Sequence, residues 1–196
     1  VSQENARKRN LDDLASALLN LDTALLRRRV DQAVLALADV KALRLCITGG
    51  AGSGKTRFAK SAATSFGLPA FDFDEYIEGG YHPDGRAYRE RLARARSRLW
   101  IALPQTGGWI IEHVEAASED MLKQVEPTHV VLVEPEVQDI LKVAAARSLA
   151  ADDGPVLAEE RVKRALESRE YARMQFDKVQ GHDIFKKKDM TVRRRS

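Results

Sequence analysis

The sequence predicts an α/β fold, three layers built on a parallel sheet and preceded by an N-terminal helical extension, on three observations. Short apolar runs alternate with helix-compatible stretches at roughly 25 to 35 residues per unit, the spacing of the crossovers that a parallel sheet requires. The octet Gly49-Gly50-Ala51-Gly52-Ser53-Gly54-Lys55-Thr56 fits GxxxxGK(S/T) with nothing left over and lies between a strand-like and a helix-like run, the context that makes the pattern a phosphate-binding loop. Residues 1–42, by contrast, show helical periodicity before any strand begins. The predicted boundaries are therefore 1–42 for the helical extension, 43–185 for the domain around the loop and 186–196 for a basic tail.

At 196 residues the chain is long enough for one core with an appendage. No apolar run approaches the roughly 20 residues of a membrane span, and the first residues lack the apolar block of a signal peptide. These features predict no membrane association and a cytoplasmic location. The single cysteine, Cys46, falls in the first predicted strand and reads as a small buried residue. The four histidines have no metal-site spacing. Lys186, Lys187, Lys188, Arg193, Arg194 and Arg195 stand against one acid, Asp189, so the tail holds more than the whole formal charge of +3 and the rest of the chain is slightly acidic. A solvated tail is the expectation, with a nucleic-acid-binding arm as the less favoured reading.

In the extension, Asn10 suits an N-cap with Asp12 and Asp13 in the first turn, and Leu11, Leu14, Leu18, Leu21 and Leu25 recur in alternating steps of three and four. This seam of about two heptads is too short for an independent coiled coil. Val30, Val34 and Leu37 give a weaker second face. The seam is expected to bury itself against this second segment, the core, another copy of the chain or a protein partner, with residues 10–42 as the contact region.

Residues 43–48 form the first apolar strand, and residues 57–65 suit the helix that follows the loop. The loop glycines let backbone N–H groups turn toward phosphate oxygens, and the helix N-terminus adds its positive dipole end. Lys55 is placed to reach the β and γ phosphates, and the Thr56 hydroxyl to ligate Mg²⁺. After a turn at Gly67-Leu68-Pro69, residues 70–74 alternate apolar and acidic side chains, which predicts Asp72 and Asp74 on one face of a strand end. Such a pair beside a phosphate loop is where metal ligation and hydroxyl deprotonation are done.

Residues 78–85 are rich in turn formers, and residues 86–103 follow as a helix with Tyr88, Leu92, Ala95, Leu99 and Leu103 as its buried stripe. Arg86 and Arg89 lie one turn apart at its start and are candidates for gripping an anionic acceptor, while Arg91, Arg94 and Arg98 read as a solvated row. Gly107-Gly108 opens the strand Trp109-Ile110-Ile111-Glu112, whose terminal acid sits where a carboxylate could hold Mg²⁺ or its water. A short helix begins near Ser118, and residues 128–134 form an apolar strand suited to a sheet covered on both faces. Pro135 suits the first turn of a helix to about Ala150, residues 151–155 break it, and a last helix runs from 156 to 179.

Taken together, residues 43–179 resemble the small P-loop kinases of the shikimate kinase, gluconate kinase and nucleoside monophosphate kinase group. The stretch Phe71-Asp72-Phe73-Asp74, with its first acid 17 residues after Lys55, is similar to the DxD segment of shikimate kinases. That resemblance implies Asp72 for Mg²⁺ and Asp74 for the acceptor hydroxyl. Residues 147–157 resemble the lid, which implies that Arg147 covers the ATP phosphates. Residues 167–171 resemble a later segment whose arginine, here Arg169, binds an acceptor carboxylate. The Gly-Gly-Gly of shikimate kinases is replaced by Glu112-His113-Val114, closer to the Glu-Arg-Ser of deoxynucleoside kinases, so shikimate is not the expected acceptor. Met190-Thr191-Val192 is a poor candidate for a final strand.

The resemblance implies an ATP- and Mg²⁺-dependent enzyme that moves the γ-phosphoryl group to a hydroxyl or phosphate of a small molecule or nucleotide. A nucleotide-binding interaction protein, docked through its N-terminal helices, is the alternative. A kinase of nucleic-acid ends, using the basic tail, is the third reading.

Overall fold

Leu45 and Ile47 of the first strand face one side of the sheet and Cys46 the other, all at most 5% exposed, so both faces of this strand are covered. The computed structural model describes residues 42–79, 86–151, 155–180 and 189–195. The leucine seam at 11–25, the turn-rich loop at 80–85, lid residues 152–154 and residues 181–188 fall outside them.

Among the described residues, five parallel strands form one sheet in the order β2-β3-β1-β4-β5: β1 (Arg44–Thr48), β2 (Ala70–Asp72), β3 (Trp109–Glu112), β4 (His129–Pro135) and β5 (Asp189–Arg195). One face packs Leu45, Ile47, Ile110, Val131 and Val133 against Phe58, Ala59 and Ala62 of α1 (Lys55–Phe66). The opposite face packs Cys46, Trp109, Ile111, Val130 and Leu132 against three helices. These are α2 (Arg86–Ala102), α3 (Glu119–Val125) and α5 (Pro155–Gln180), which contribute Leu92 and Leu99, Met121 and Leu122, and Ala172 and Phe176. α4 (Val137–Ala150) precedes α5, with Ile140 and Ala144 buried. This is the predicted three-layer α/β arrangement. Double coverage explains why the central strands are continuous apolar runs rather than alternating ones.

Three local expectations are corrected. The acidic pair does not share a strand face: β2 stops at Asp72, and residues Phe73–Tyr76 turn into a 3₁₀ helix. The Asp72 side chain causes the stop, because its Oδ1 accepts from the backbone N–H of Asp74 at 3.0 Å, a capping bond that competes with extension. Pro135 ends β4 instead of opening a helix, and α4 begins at Val137. The stretch read as a solvated tail contains β5, which pairs with β4 from His129↔Asp189 to Pro135↔Arg195.

Candidate functional site

The loop runs from Thr48, at the C-terminal end of β1, to Lys55, the first residue of α1. Gly54 occupies the N-cap at φ 87°, ψ 9°, left-handed backbone that costs a non-glycine residue energy. Gly50 is required for another reason: a Cβ there would lie 2.6 Å from both Cα and N of Arg169, so α5 packs directly on the loop backbone. The same helix holds the loop by a hydrogen bond, from the Ala51 N–H to Ser168 Oγ at 2.7 Å. Ser53 is buried, and Gly52 abuts Val143 of α4. The candidate phosphate-binding residues Gly49–Thr56 are thus clamped between β1, α4 and α5, with the N-terminus of α1 behind them.

Three carboxylates meet the loop at the same edge of the sheet. Asp72 and Glu112 are register partners across β2 and β3, and Glu112 in turn pairs with Ile47 of β1. Glu112 is 4% exposed. Burial pushes its carboxyl above the ordinary value, the Thr56 hydroxyl and the Lys55 charge pull it back, and the Asp72 charge adds to the rise. Asp74 behaves oppositely. A hydrogen bond from His113 holds its carboxyl below the ordinary value against the effect of burial, with Lys55 assisting. Lys55, Thr56, Asp72, Asp74 and Glu112 therefore form one electrostatic unit. Among the described residues no three His, Cys, Asp or Glu side chains make a metal cage. The oxygen set of Thr56, Asp72 and Glu112 instead fits Mg²⁺, which takes one or two carboxylates together with substrate phosphates and water.

The arginines divide differently from the sequence reading. Arg147 is exposed near the end of α4 and lines a cleft of about 370 Å³ with Ala51, Gly52, Arg161 and Arg164, beside the loop. Arg169 pairs with Glu134 at 3.3 Å, and Arg173 binds the other oxygen of that carboxylate at 3.0 Å. Glu134 belongs to β4, on the far side of β1 from the acids, so the Arg169 side chain is held on the loop side of the candidate site. Arg86 starts α2 and Arg89 is exposed. The row expected to be solvated is partly turned inward: Arg98 is bonded to Glu78 and to the Tyr76 carbonyl, and the Arg91 guanidinium stacks over the Tyr88 ring at 5.8 Å. A helix of six arginines gives no sequence signal for which row faces in; the packing of Leu92, Ala95 and Leu99 decides it.

Sequence reasoning also passed over His113, Glu115 and Tyr171. His113 is buried and bonds Asp74, while Tyr171 OH donates to Glu115 Oε1 at 2.6 Å. Burial and that carboxylate push the Tyr171 phenol well above its ordinary value. The available signal was His113 immediately after Glu112 at a strand end, where a polar residue faces the site.

No protein-family model and no curated protein sequence matches the chain. Among solved structures it is similar to an uncharacterized protein from Eubacterium ventriosum, at 13% identity and a TM-score of 0.46 over 78% of this chain and 88% of that one. It is likewise similar to the shikimate kinase from Bacteroides thetaiotaomicron, at 17% identity and a TM-score of 0.48 over 76% and 85% of the two chains.

Proposed function

We propose that the chain is an ATP- and Mg²⁺-dependent phosphotransferase that moves the γ-phosphoryl group to a hydroxyl of a small molecule or nucleoside. The supporting observation is the convergence of the phosphate loop, Lys55, Thr56 and three carboxylates at one edge of a parallel sheet. Thr56, Asp72 and Glu112 would hold Mg²⁺, which supplies positive charge against the phosphates. Lys55 and the loop N–H groups bind the β and γ phosphates, and Arg147 closes over them from α4. Asp74 orients the acceptor and takes its proton as the acceptor oxygen bonds phosphorus and the bridging oxygen leaves with ADP. Such catalysis is mainly positioning and electrostatics.

Asp74 favours a hydroxyl over a phosphate acceptor. A phosphate oxygen is already ionised and needs no base, and a carboxylate held in its charged form would repel it. Arg86 and Arg89 remain the proposed contacts for an anionic part of the acceptor, whereas Arg169, paired with Glu134 on the β4 side of β1, is proposed to act on the nucleotide side. The alternative, a nucleotide-binding interaction protein docked through residues 10–42, shares the nucleotide site without the transfer step.

Nucleotide binding is tested by thermal unfolding with Mg·ATP. A ligand selective for the folded state adds about 2.7 kcal/mol at a hundredfold excess over Kd. The wild-type protein should melt at a higher temperature with Mg·ATP, and Lys55→Ala should lose most of that shift. An equal shift in both proteins would place ATP away from the loop and overturn the proposal.

A further inference from the structure

The imidazole of His113 is 4% exposed, and both its nitrogens are engaged. Nδ1 accepts from the backbone N–H of Glu115 at 3.0 Å, and a ring nitrogen that accepts carries no proton. The proton therefore sits on Nε2, 3.1 Å from Asp74 Oδ1. The ring cannot easily turn away, since it meets Phe73 edge-on with centroids 5.0 Å apart and planes at 78°. The turn that supplies the Glu115 amide is pinned from two sides. Tyr171 OH donates to Glu115 Oε1, and Thr48 Oγ1 donates to the Val114 carbonyl at 2.9 Å. Thr48 is the residue before the phosphate loop, so loop and turn share one frame. Asp74, by contrast, sits in a 3₁₀ turn with its own side chain 66% accessible. Among the described residues, the bond from His113 is the side-chain hydrogen bond to its Oδ1.

We propose that His113 is the positioning residue for Asp74, donating a neutral Nε2–H to Oδ1 and leaving Oδ2 to meet the acceptor hydroxyl. This inference rests on the phosphotransferase reading. His113 keeps its proton throughout, while the acceptor proton passes to Asp74. The buried ring thus ties a solvent-accessible carboxylate to the same frame as the nucleotide loop. Misplacement by about 1 Å costs on the order of 10² in rate.

The test uses the full chain and two substitutions. His113→Phe keeps a ring against Phe73 but has no donor; His113→Gln places an amide donor near the position of Nε2. In ¹⁵N-histidine NMR at neutral pH, the wild-type protein should show His113 protonated at Nε2 only, with an Nε2–H signal that moves in Asp74→Asn. Protonation at Nδ1, or a signal indifferent to Asp74→Asn, would overturn the proposal. ADP release from Mg·ATP, with water and then with added hydroxyl compounds as acceptors, gives the second reading. His113→Phe should lower kcat by about 10² with KM for Mg·ATP within a few fold, and His113→Gln should recover most of it. Full activity in His113→Phe, or equal loss in both variants, would refute positioning. A wild-type protein that releases no ADP with any acceptor would count against phosphoryl transfer itself, and the NMR result would still decide the hydrogen bond.

Discussion

Glu112 is nearly enclosed, and the neighbouring Asp72 charge raises its cost of ionisation. Its carboxyl is more basic in the folded chain than in the unfolded one. The folded state therefore holds the proton over the window from the ordinary glutamate value up to the raised one, and stability falls as pH rises through that window. Below both values the penalty is absent. Glu112→Gln removes the charge while keeping the shape, so at neutral pH the ligand-free variant should melt at a higher temperature, each ~1 kcal/mol of relief shifting the midpoint by about 2–4 °C in a chain of this size. Its melting temperature should also vary less with pH across the window, and the Mg²⁺ dependence of ATP binding should weaken. Melts over a pH series with and without Mg·ATP check both effects. A lower melting temperature for the ligand-free variant at every pH would mean that Glu112 is structural.

At the scale of elements, α5 and the phosphate loop are one construction. The helix backbone at Arg169 leaves no room for a side chain at position 50, and Ser168 bonds the next residue of the loop. Gly50→Ala should therefore displace the loop or the helix. Overpacking of this kind typically costs about 1–3 kcal/mol, and here the strain falls on the proposed nucleotide site. The expected outcome is a lowered melting temperature together with at least a tenfold weaker Kd for Mg·ATP, read by calorimetry. An unchanged Kd would show that the contact relaxes without moving the loop. Much of this level was legible in the sequence. The octet with its apolar strand and following helix predicted β1 and α1, and the runs at 109–112 and 128–134 predicted two further strands, because buried parallel strands need little beyond apolar continuity. β5 was not legible. Met190-Thr191-Val192 sits among basic residues, and what makes it a strand is its partner β4, a non-local cause that no short window contains. The same limit applies to Asp74: an alternating pattern implies a strand, but the Asp72 cap ends it two residues early.

For the molecule as a whole, the candidate site lies where the C-terminal ends of β1, β2 and β3 meet the loop, and the two halves of the proposed reaction fall on different sides of β1. The loop, Arg147 and the Arg169–Glu134 pair lie toward β4, while Asp72, Asp74, Glu112 and His113 lie toward β2 and β3. The sequence located the parts of both halves, since the loop pattern and the acids are local. It did not reveal their connection through His113 and the turn at Val114–Ala117, which depends on residues 39 apart in the chain meeting at 3.1 Å. The central claim, phosphoryl transfer to a hydroxyl with Asp74 as the base, is tested most directly by ADP release from Mg·ATP across nucleosides, sugars and hydroxy acids. Wild-type protein and Asp74→Asn would be compared. The account predicts release stimulated by at least one hydroxyl class, and a kcat lowered by about 10² or more in Asp74→Asn with Mg·ATP affinity within a few fold. Equal stimulated release by Asp74→Asn and the wild-type protein would contradict it.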